Sequence, residues 1–193
     1  GATGNVSEAL VELLEEREFP VKDLHLLASS ESAGQSLSFR GRQVRVRSLE
    51  TFDFSQVQLA FFAAGADVTR ACRERVLAAG CSLIDLSAAL PLEQAPCVLP
   101  ELGVEGLPAL SKPCCVSAPT PSAVACALVL AALKPVLQPQ RLQLTAMLSI
   151  STLGRSGVQE LARQTAELLN ARPLEPRVVD RQVAFNLLAQ IGR

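Results

Sequence analysis

Two turns and six thiols are where this 193-residue chain could do chemistry. The thiols are Cys72, Cys81, Cys97, Cys114, Cys115 and Cys126. A cysteine reacts as its thiolate, and a helix N-terminus favours that form. Ser117-Ala118-Pro119-Thr120-Pro121-Ser122 reads as such a helix start. Thr120 is placed to cap, its hydroxyl accepting from an amide two or three residues on. Pro121 falls at the first helical position, where a missing N–H costs nothing. No thiol stands there: Cys114 and Cys115 precede the loop at strand positions, and Cys126 lies about a turn and a half into the apolar helix that follows. With no Cys-x-x-Cys pair, and His25 the only histidine, no metal site is expected. The scattered cysteines suit buried thiols of a reducing, cytoplasmic compartment.

The second turn is Gly1-Ala2-Thr3-Gly4-Asn5-Val6-Ser7, which leads into an amphipathic helix with Val6, Leu10, Leu13 and Leu14 on one face. Glycines at such a start let the backbone approach a pyrophosphate, which then rests on the helix N-terminus. Ser7 stands where a third glycine would complete the fingerprint, and the blander reading is a tight strand-to-helix turn. Ser29, Ser30 and Glu31 follow a short strand at residues 24–28, where the ribose of a dinucleotide would lie. His25, inside that strand, reads as structural.

Elements that would position these residues follow in order. A hairpin turns at Gly41 within residues 39–46, and residues 57–63 form an apolar strand of the buried parallel kind. Gly65 ends that strand, Asp67 or Thr69 caps a helix carrying Val68, Cys72 and Val76, and Gly80 stops it. Residues 81–86 are another buried strand with Asp85 and Ser87 at its tip, before Pro91, Pro96, Pro100 and Pro108 break the chain into loops. Residues 114–117 are a last short strand, and residues 123–133 a buried helix. The β-α-β alternation argues a doubly wound parallel sheet over residues 1–117. Residues 142–150 then alternate apolar and polar, as an antiparallel strand would. A helix at 156–171 carries Leu161, Ala162, Thr165, Leu168 and Leu169, and residues 183–191 are a last apolar segment. A second, α+β domain is therefore expected over residues 118–193. Charge is balanced at −1 and aromatics are 4%, so nothing argues for a nucleic-acid partner. The apolar run at 123–133 is too short to span a bilayer, and no secretory signal opens the chain.

These residues also carry a family resemblance. Gly1-Ala2-Thr3-Gly4-Asn5-Val6, Leu26-Leu27-Ala28-Ser29-Ser30-Glu31-Ser32-Ala33-Gly34, Phe62-Ala63-Ala64-Gly65, Leu83-Ile84-Asp85-Leu86-Ser87, Val98-Leu99-Pro100-Glu101 and Ala184-Phe185-Asn186 come in the order seen in aspartate-semialdehyde dehydrogenase. The resemblance implies a Rossmann-type domain followed by the start of a catalytic and dimerisation domain, a homodimer, and a place in amino-acid biosynthesis. It implies NAD or NADP contacts at Gly1, Thr3, Gly4, Asn5, Val6, Ser29, Ser30, Glu31, Ala64 and Gly65. The chain opens its glycine turn with no strand before it. It reads as an N-terminal-half piece, the remainder holding the family's substrate arginine and catalytic histidine.

Active members of that family reduce an aspartyl phosphate with NADPH through a thiohemiacetal and thioester on a cysteine that follows an Asn-Pro-Asn turn. Aligned on Ala118-Pro119-Thr120, the nucleophile position is Pro121. The family's glutamine, after a Ser-Thr pair, falls near Gly154, following Ser151-Thr152-Leu153. Glu31 replaces an arginine facing the 2′-phosphate of NADP, and Ala88-Ala89-Leu90-Pro91-Leu92 offers no cation for a substrate phosphate. Four altered roles beside matching packing residues resemble the non-catalytic paralogues that some bacteria carry beside the active enzyme. Two other readings stay open. One is an active oxidoreductase whose nucleophile is Cys114, Cys115 or, less favourably placed, Cys126. The other is a sensor that binds a dinucleotide, NAD rather than NADP given Glu31, without chemistry.

Overall fold

A computed structural model describes residues 1–104, 107 and 112–189. The expectations for Pro108 and for Ile191 lie outside these residues. The chain divides into two compact units, Gly1–Leu144 and Thr145–Arg193.

In the first unit, helix α1 (Asn5–Glu16) follows the glycine turn. It buries Ser7, Val11 and Leu14, with Leu10 packed alongside. The face expected to carry Val6 and Leu13 is turned outward, and these are 57% and 46% exposed. Ser7, Val11 and Leu14 follow one another at helical spacing, and this sets the buried stripe. Strand β1 (Leu26–Ala28) pairs in parallel with β3 (Arg42–Ser48), and β3 pairs antiparallel with β2 (Ser36–Phe39). The hairpin turn is Arg40-Gly41, both with φ near +50 to +70°, the left-handed pair that matches strand twist.

Strands β4 (Leu59–Phe62), β5 (Ser82–Asp85) and β6 (Cys115–Ser117) form a second, wholly parallel sheet in that order. Helix α2 (Ala66–Ala78) joins β4 to β5 and buries Thr69, Cys72 and Val76. Its cap is Gly65 rather than Asp67 or Thr69. Asp67 lies in the first turn and pairs with Arg70, while Thr69 is fully buried with its hydroxyl donating to the Gly65 carbonyl. Gly80 ends the helix as expected, its amide reaching back to Leu77 and that of Cys81 to Val76. Phe52, Phe54, Phe62, Val76, Leu83 and Leu90 fill the core beneath this sheet. Each such side chain contributes about 1.5–3 kcal/mol on burial.

Helix α3 (Pro121–Leu133) is apolar on all sides, yet none of its residues is fully buried, against the core helix expected from its sequence. A helix apolar all round needs cover all round, and among the described residues the element it packs on is the short 3-10 turn at Pro100–Leu102. Residues 142–149 form no strand. Among the described residues no strand lies beyond Ser117, so the alternation finds no ladder, and Leu142, Leu144 and Leu148 stand 58%, 57% and 66% exposed.

In the second unit a 3-10 turn (Ile150–Leu153) leads into α4 (Gly154–Leu169). Its buried face is Gly157, Glu160 and Gln164, a turn of the wheel away from the expected apolar stripe, and Leu169 is 74% exposed. Hydrogen bonding explains the choice. The Gln164 amide oxygen accepts from the backbone of Val183 and Ala184, and Glu160 accepts from the Arg177 amide, Gln164 and Arg163. Residues 183–189 carry no regular element.

Candidate functional site

The glycine turn is fixed on both flanks. The Ala2 amide donates to the Leu27 carbonyl at 2.8 Å, and the Gly4 amide to the Gly1 carbonyl at 3.0 Å. A Cβ on Gly1 would stand 2.9 Å from the Ala64 Cα and 3.2 Å from the Ala63 carbonyl oxygen. Only glycine lets the turn press this closely on the end of β4. Gly4 caps α1 without a side-chain hydrogen bond, leaving the positive end of the helix dipole beside the turn. Gly65, at φ 95°, turns the chain from β4 into α2 in the left-handed region.

Gly1, Gly4, Ala64 and Gly65 are thus brought together at the carboxyl ends of β1 and β4, the place where open α/β sheets bind ligands. Thr3 is half-buried there, and Asn5 and Val6 open α1 with exposed side chains. Ser29, Ser30 and Glu31 continue directly from β1 and are exposed.

A second carboxylate joins that loop. Glu50, just past β3, accepts from the Ser48 hydroxyl, and its carboxyl is held below the usual range chiefly by that bond, with its own amide, the Ser30 amide and Arg75 adding to the effect. Glu50 escaped sequence reasoning because it is nineteen positions from Glu31 and carries no motif. Arg45 approaches the other end of the loop, its Nη2 3.9 Å from the place a Gly34 Cβ would take.

The α3 start is held by a buried carboxylate. Asp85, fully buried at the end of β5, accepts from the Ser87 amide (2.8 Å) and hydroxyl (2.6 Å), the Ala89 amide (2.9 Å) and the Ser117 hydroxyl (3.5 Å). Its backbone carbonyl accepts from the Ala118 amide at 2.8 Å. The loops after β5 and β6 are thereby locked together. Thr120 is the N-cap and Pro121 the first helical residue, but the Thr120 hydroxyl makes no capping bond. A cation does reach the loop at 88–92, from α2. Arg70 donates from Nε to the Ala89 carbonyl at 3.3 Å while its Nη1 pairs with Asp67 at 2.8 Å.

No thiol stands at Pro121 itself, but Cys97, exposed rather than buried as expected, lies alongside Ser117 in an isolated parallel bridge. Parallel register sets Cys115 beside Leu83 and Ser117 beside Asp85, so Cys114 and Cys115 sit toward the amino end of β6, away from the helix start. Cys115 is 5% exposed, and burial pushes its thiol up against an opposing effect of Arg73. Cys81 is pushed up by burial to about 11. Cys126 is half-buried within α3. Gly154 opens α4 at φ 72° in the second unit. Among the described residues no group of three metal-ligating side chains gathers, and no helix is long and apolar enough to cross a membrane.

Comparison with known proteins agrees with this architecture. Residues 1–108 match the family model described as semialdehyde dehydrogenase, NAD binding domain, and residues 130–193 that described as semialdehyde dehydrogenase, dimerisation domain. The chain is 58% identical over 192 residues to the USG-1 protein homolog of Pseudomonas aeruginosa. It is 38% identical over 197 residues to aspartate-semialdehyde dehydrogenase 2 of Vibrio cholerae. All of the chain is covered in both, but it spans only 57% and 58% of those relatives' lengths. Among solved structures, a probable aspartate-semialdehyde dehydrogenase from P. aeruginosa superposes with TM-score 0.90 at 56% identity, and the V. cholerae aspartate semialdehyde dehydrogenase II complexed with ASA with TM-score 0.93 at 36%. Each match covers 100% of this chain and 58% of the other. With a parallel sheet, a glycine turn on its carboxyl edge and both family models matched in order, the chain belongs to the semialdehyde dehydrogenase family.

Proposed function

We propose that this chain is the dinucleotide-binding part of a semialdehyde-dehydrogenase-like protein that binds NAD in preference to NADP and lacks the thiol-dependent reduction of an aspartyl phosphate. The observation that carries the reading is Pro121 at the first position of α3. The resemblance puts the family's nucleophile there; Cys114 and Cys115 lie toward the amino end of β6, and exposed Cys97 is bridged to Ser117, four residues before that position. The rival thiol reading gains nothing from Cys115, which burial makes a poorer nucleophile.

In this reading Gly1, Thr3, Gly4, Asn5 and Val6 cradle the pyrophosphate on α1, Ser29, Ser30 and Glu31 face the ribose, and Ala64 and Gly65 close the opposite wall. A nicotinamide dinucleotide bound there would supply hydride chemistry; the residues themselves bind and orient it. Glu31 and Glu50 place two carboxylates at this loop, which disfavour a 2′-phosphate, while Arg45 and Arg75 oppose them. Gly154 leaves the glutamine role unfilled. The domain boundary is assigned near residues 117 and 118, and a homodimer built through the downstream segment fits the exposed apolar surface of Val129, Val136 and Leu137.

The test is an assay of the purified full-length protein with aspartyl phosphate and with the semialdehyde, against both cofactors, beside calorimetric titration of NAD and NADP. We expect no turnover above a mock-purified control and tighter binding of NAD, with Glu31→Arg reversing the preference. Turnover by the unmodified protein overturns the reading.

A further inference from the structure

Four oxygens in a row join the turn at Gly65 to the anchor of the α3 start. The Thr69 hydroxyl lies 3.1 Å from the Gly65 carbonyl oxygen and 3.1 Å from the Ser87 hydroxyl, which in turn lies 2.6 Å from Asp85 Oδ1. Thr69 and Asp85 are fully buried, so the row runs through the interior from the first turn of α2 to the tip of β5.

The three contacts share two hydrogens, since each hydroxyl carries one. Both Asp85 oxygens accept backbone amides, from Ser87 and from Ala89. The carboxyl thus acts as an acceptor, and the Ser87 hydrogen goes to Oδ1 in the shortest contact of the row. The Thr69 hydrogen then faces two acceptors at the same distance, one in each loop. The Gly65 carbonyl does not depend on it, because the Thr69 amide donates there too, at 3.2 Å. The Ser87 oxygen gains from it twice: it acquires a donor, and its own bond to Asp85 is strengthened by polarisation along the chain. Asp85 carries the restraint into the next loop. Its Oδ2 accepts from the Ser117 hydroxyl and its carbonyl from the Ala118 amide, three residues before Pro121.

We propose that Thr69 is a positioning residue for the α3 start, holding the loop at Ser117 and Ala118 through Ser87 and Asp85. It does so from a helix whose cap is Gly65. A nicotinamide dinucleotide seated on the Gly65 turn fixes the start of α2, keeps the Thr69 hydrogen on Ser87 and thereby steadies the loop before Pro121. The ligand-dependent part rests on the reading that a dinucleotide binds at Gly65; the link from Thr69 to Ala118 does not.

The test follows hydrogen exchange in the full-length protein and in its Thr69→Val and Thr69→Ser variants, with the Val44 and Val46 amides of β3 as internal reference. Valine keeps the branched shape and loses the hydroxyl; serine keeps the hydroxyl. Thr69→Ala serves as a second hydroxyl-free form should the valine variant fold poorly. Without ligand, the hydroxyl-free form is expected to exchange the Ser87, Ala89 and Ala118 amides at least about fivefold faster relative to the reference, and Thr69→Ser to stay within about twofold of the parent. With saturating NAD, the Ala118 amide is expected to slow at least about threefold in the parent and in Thr69→Ser, and to be unchanged in the hydroxyl-free form. Parental Ala118 exchange in the ligand-free, hydroxyl-free form overturns the proposal. So does NAD that binds in calorimetry but leaves the parent's Ala118 amide unaffected, or slows it equally without the hydroxyl. Should calorimetry show no NAD binding, the dinucleotide reading falls, and the ligand-free comparison alone decides the link from Thr69 to Ala118.

Discussion

The starts of α1 and α3 are both helix N-termini just past the carboxyl ends of parallel strands, and they have been kept for different reasons. At α1 the residue type is dictated by contact: Gly1 leaves no room for a Cβ beside Ala64, and Gly4 caps without a side chain. At α3 the backbone is equally well anchored, by Asp85 through Ala118 and Ser117, but the first helical residue is Pro121, which fits the helix and offers no reactive atom. The difference separates architecture from chemistry. A turn can hold its position through hydrogen bonds to its neighbours whatever side chain stands at the helix start.

Breaking the anchor of the α3 start should have the largest effect. Asp85→Ala leaves the Ser87 and Ala89 amides without their acceptor in a buried site, and a loss of about 2–5 kcal/mol is expected in urea unfolding. On the α1 side, Gly1→Val drives a side chain into the Ala64 backbone. It should cost about 1–3 kcal/mol, with dinucleotide affinity falling at least about tenfold in calorimetry. A result in which Gly1→Val binds as tightly as the parent would make the glycine a packing residue only.

Acid should act on the second unit. Burial pushes the Glu160 carboxyl up, but hydrogen bonds from Arg163, the Arg177 amide and Gln164, with the charge of Arg163, outweigh it and hold the carboxyl at about 2 rather than its ordinary 4.5. A depressed carboxyl stabilises the fold above its unfolded pKa. That contribution is present above pH 4.5 and is lost as pH falls toward 2. Exchange at residues 183 and 184 should rise over that window, and Glu160→Gln should flatten the pH dependence. The smallest effect belongs to Thr120→Ala. Its hydroxyl makes no capping bond, so thermal unfolding should register under about 0.5 kcal/mol rather than the ~1 kcal/mol of a working cap.

Much of the first unit was legible in the sequence because its signals are local. Apolar runs at residues 57–63 and 81–86 contain β4 and β5, Gly80 ends α2, and Gly41 marks the hairpin. Later segments misled where burial depends on partners. The alternation at 142–150 has no strand to pair with among the described residues, and α4 hides Glu160 and Gln164 because carbonyl and amide donors and acceptors around 177–184 satisfy them. At the site, the glycine turn was readable from glycine spacing. Glu50 and Arg70 were not, since each reaches its loop from another element.

The central proposal is that Pro121, the first residue of α3, stands where a thiolate would be presented. Pro121→Cys tests it, with iodoacetamide alkylation at neutral pH mapped residue by residue. The account predicts modification at position 121 at least about tenfold faster than at Cys126 in the same chain, and no cysteine of the unmodified protein alkylated faster than in the denatured chain. A new thiol no more reactive than Cys126, or a fast-reacting Cys114 or Cys115 in the unmodified protein, would contradict it.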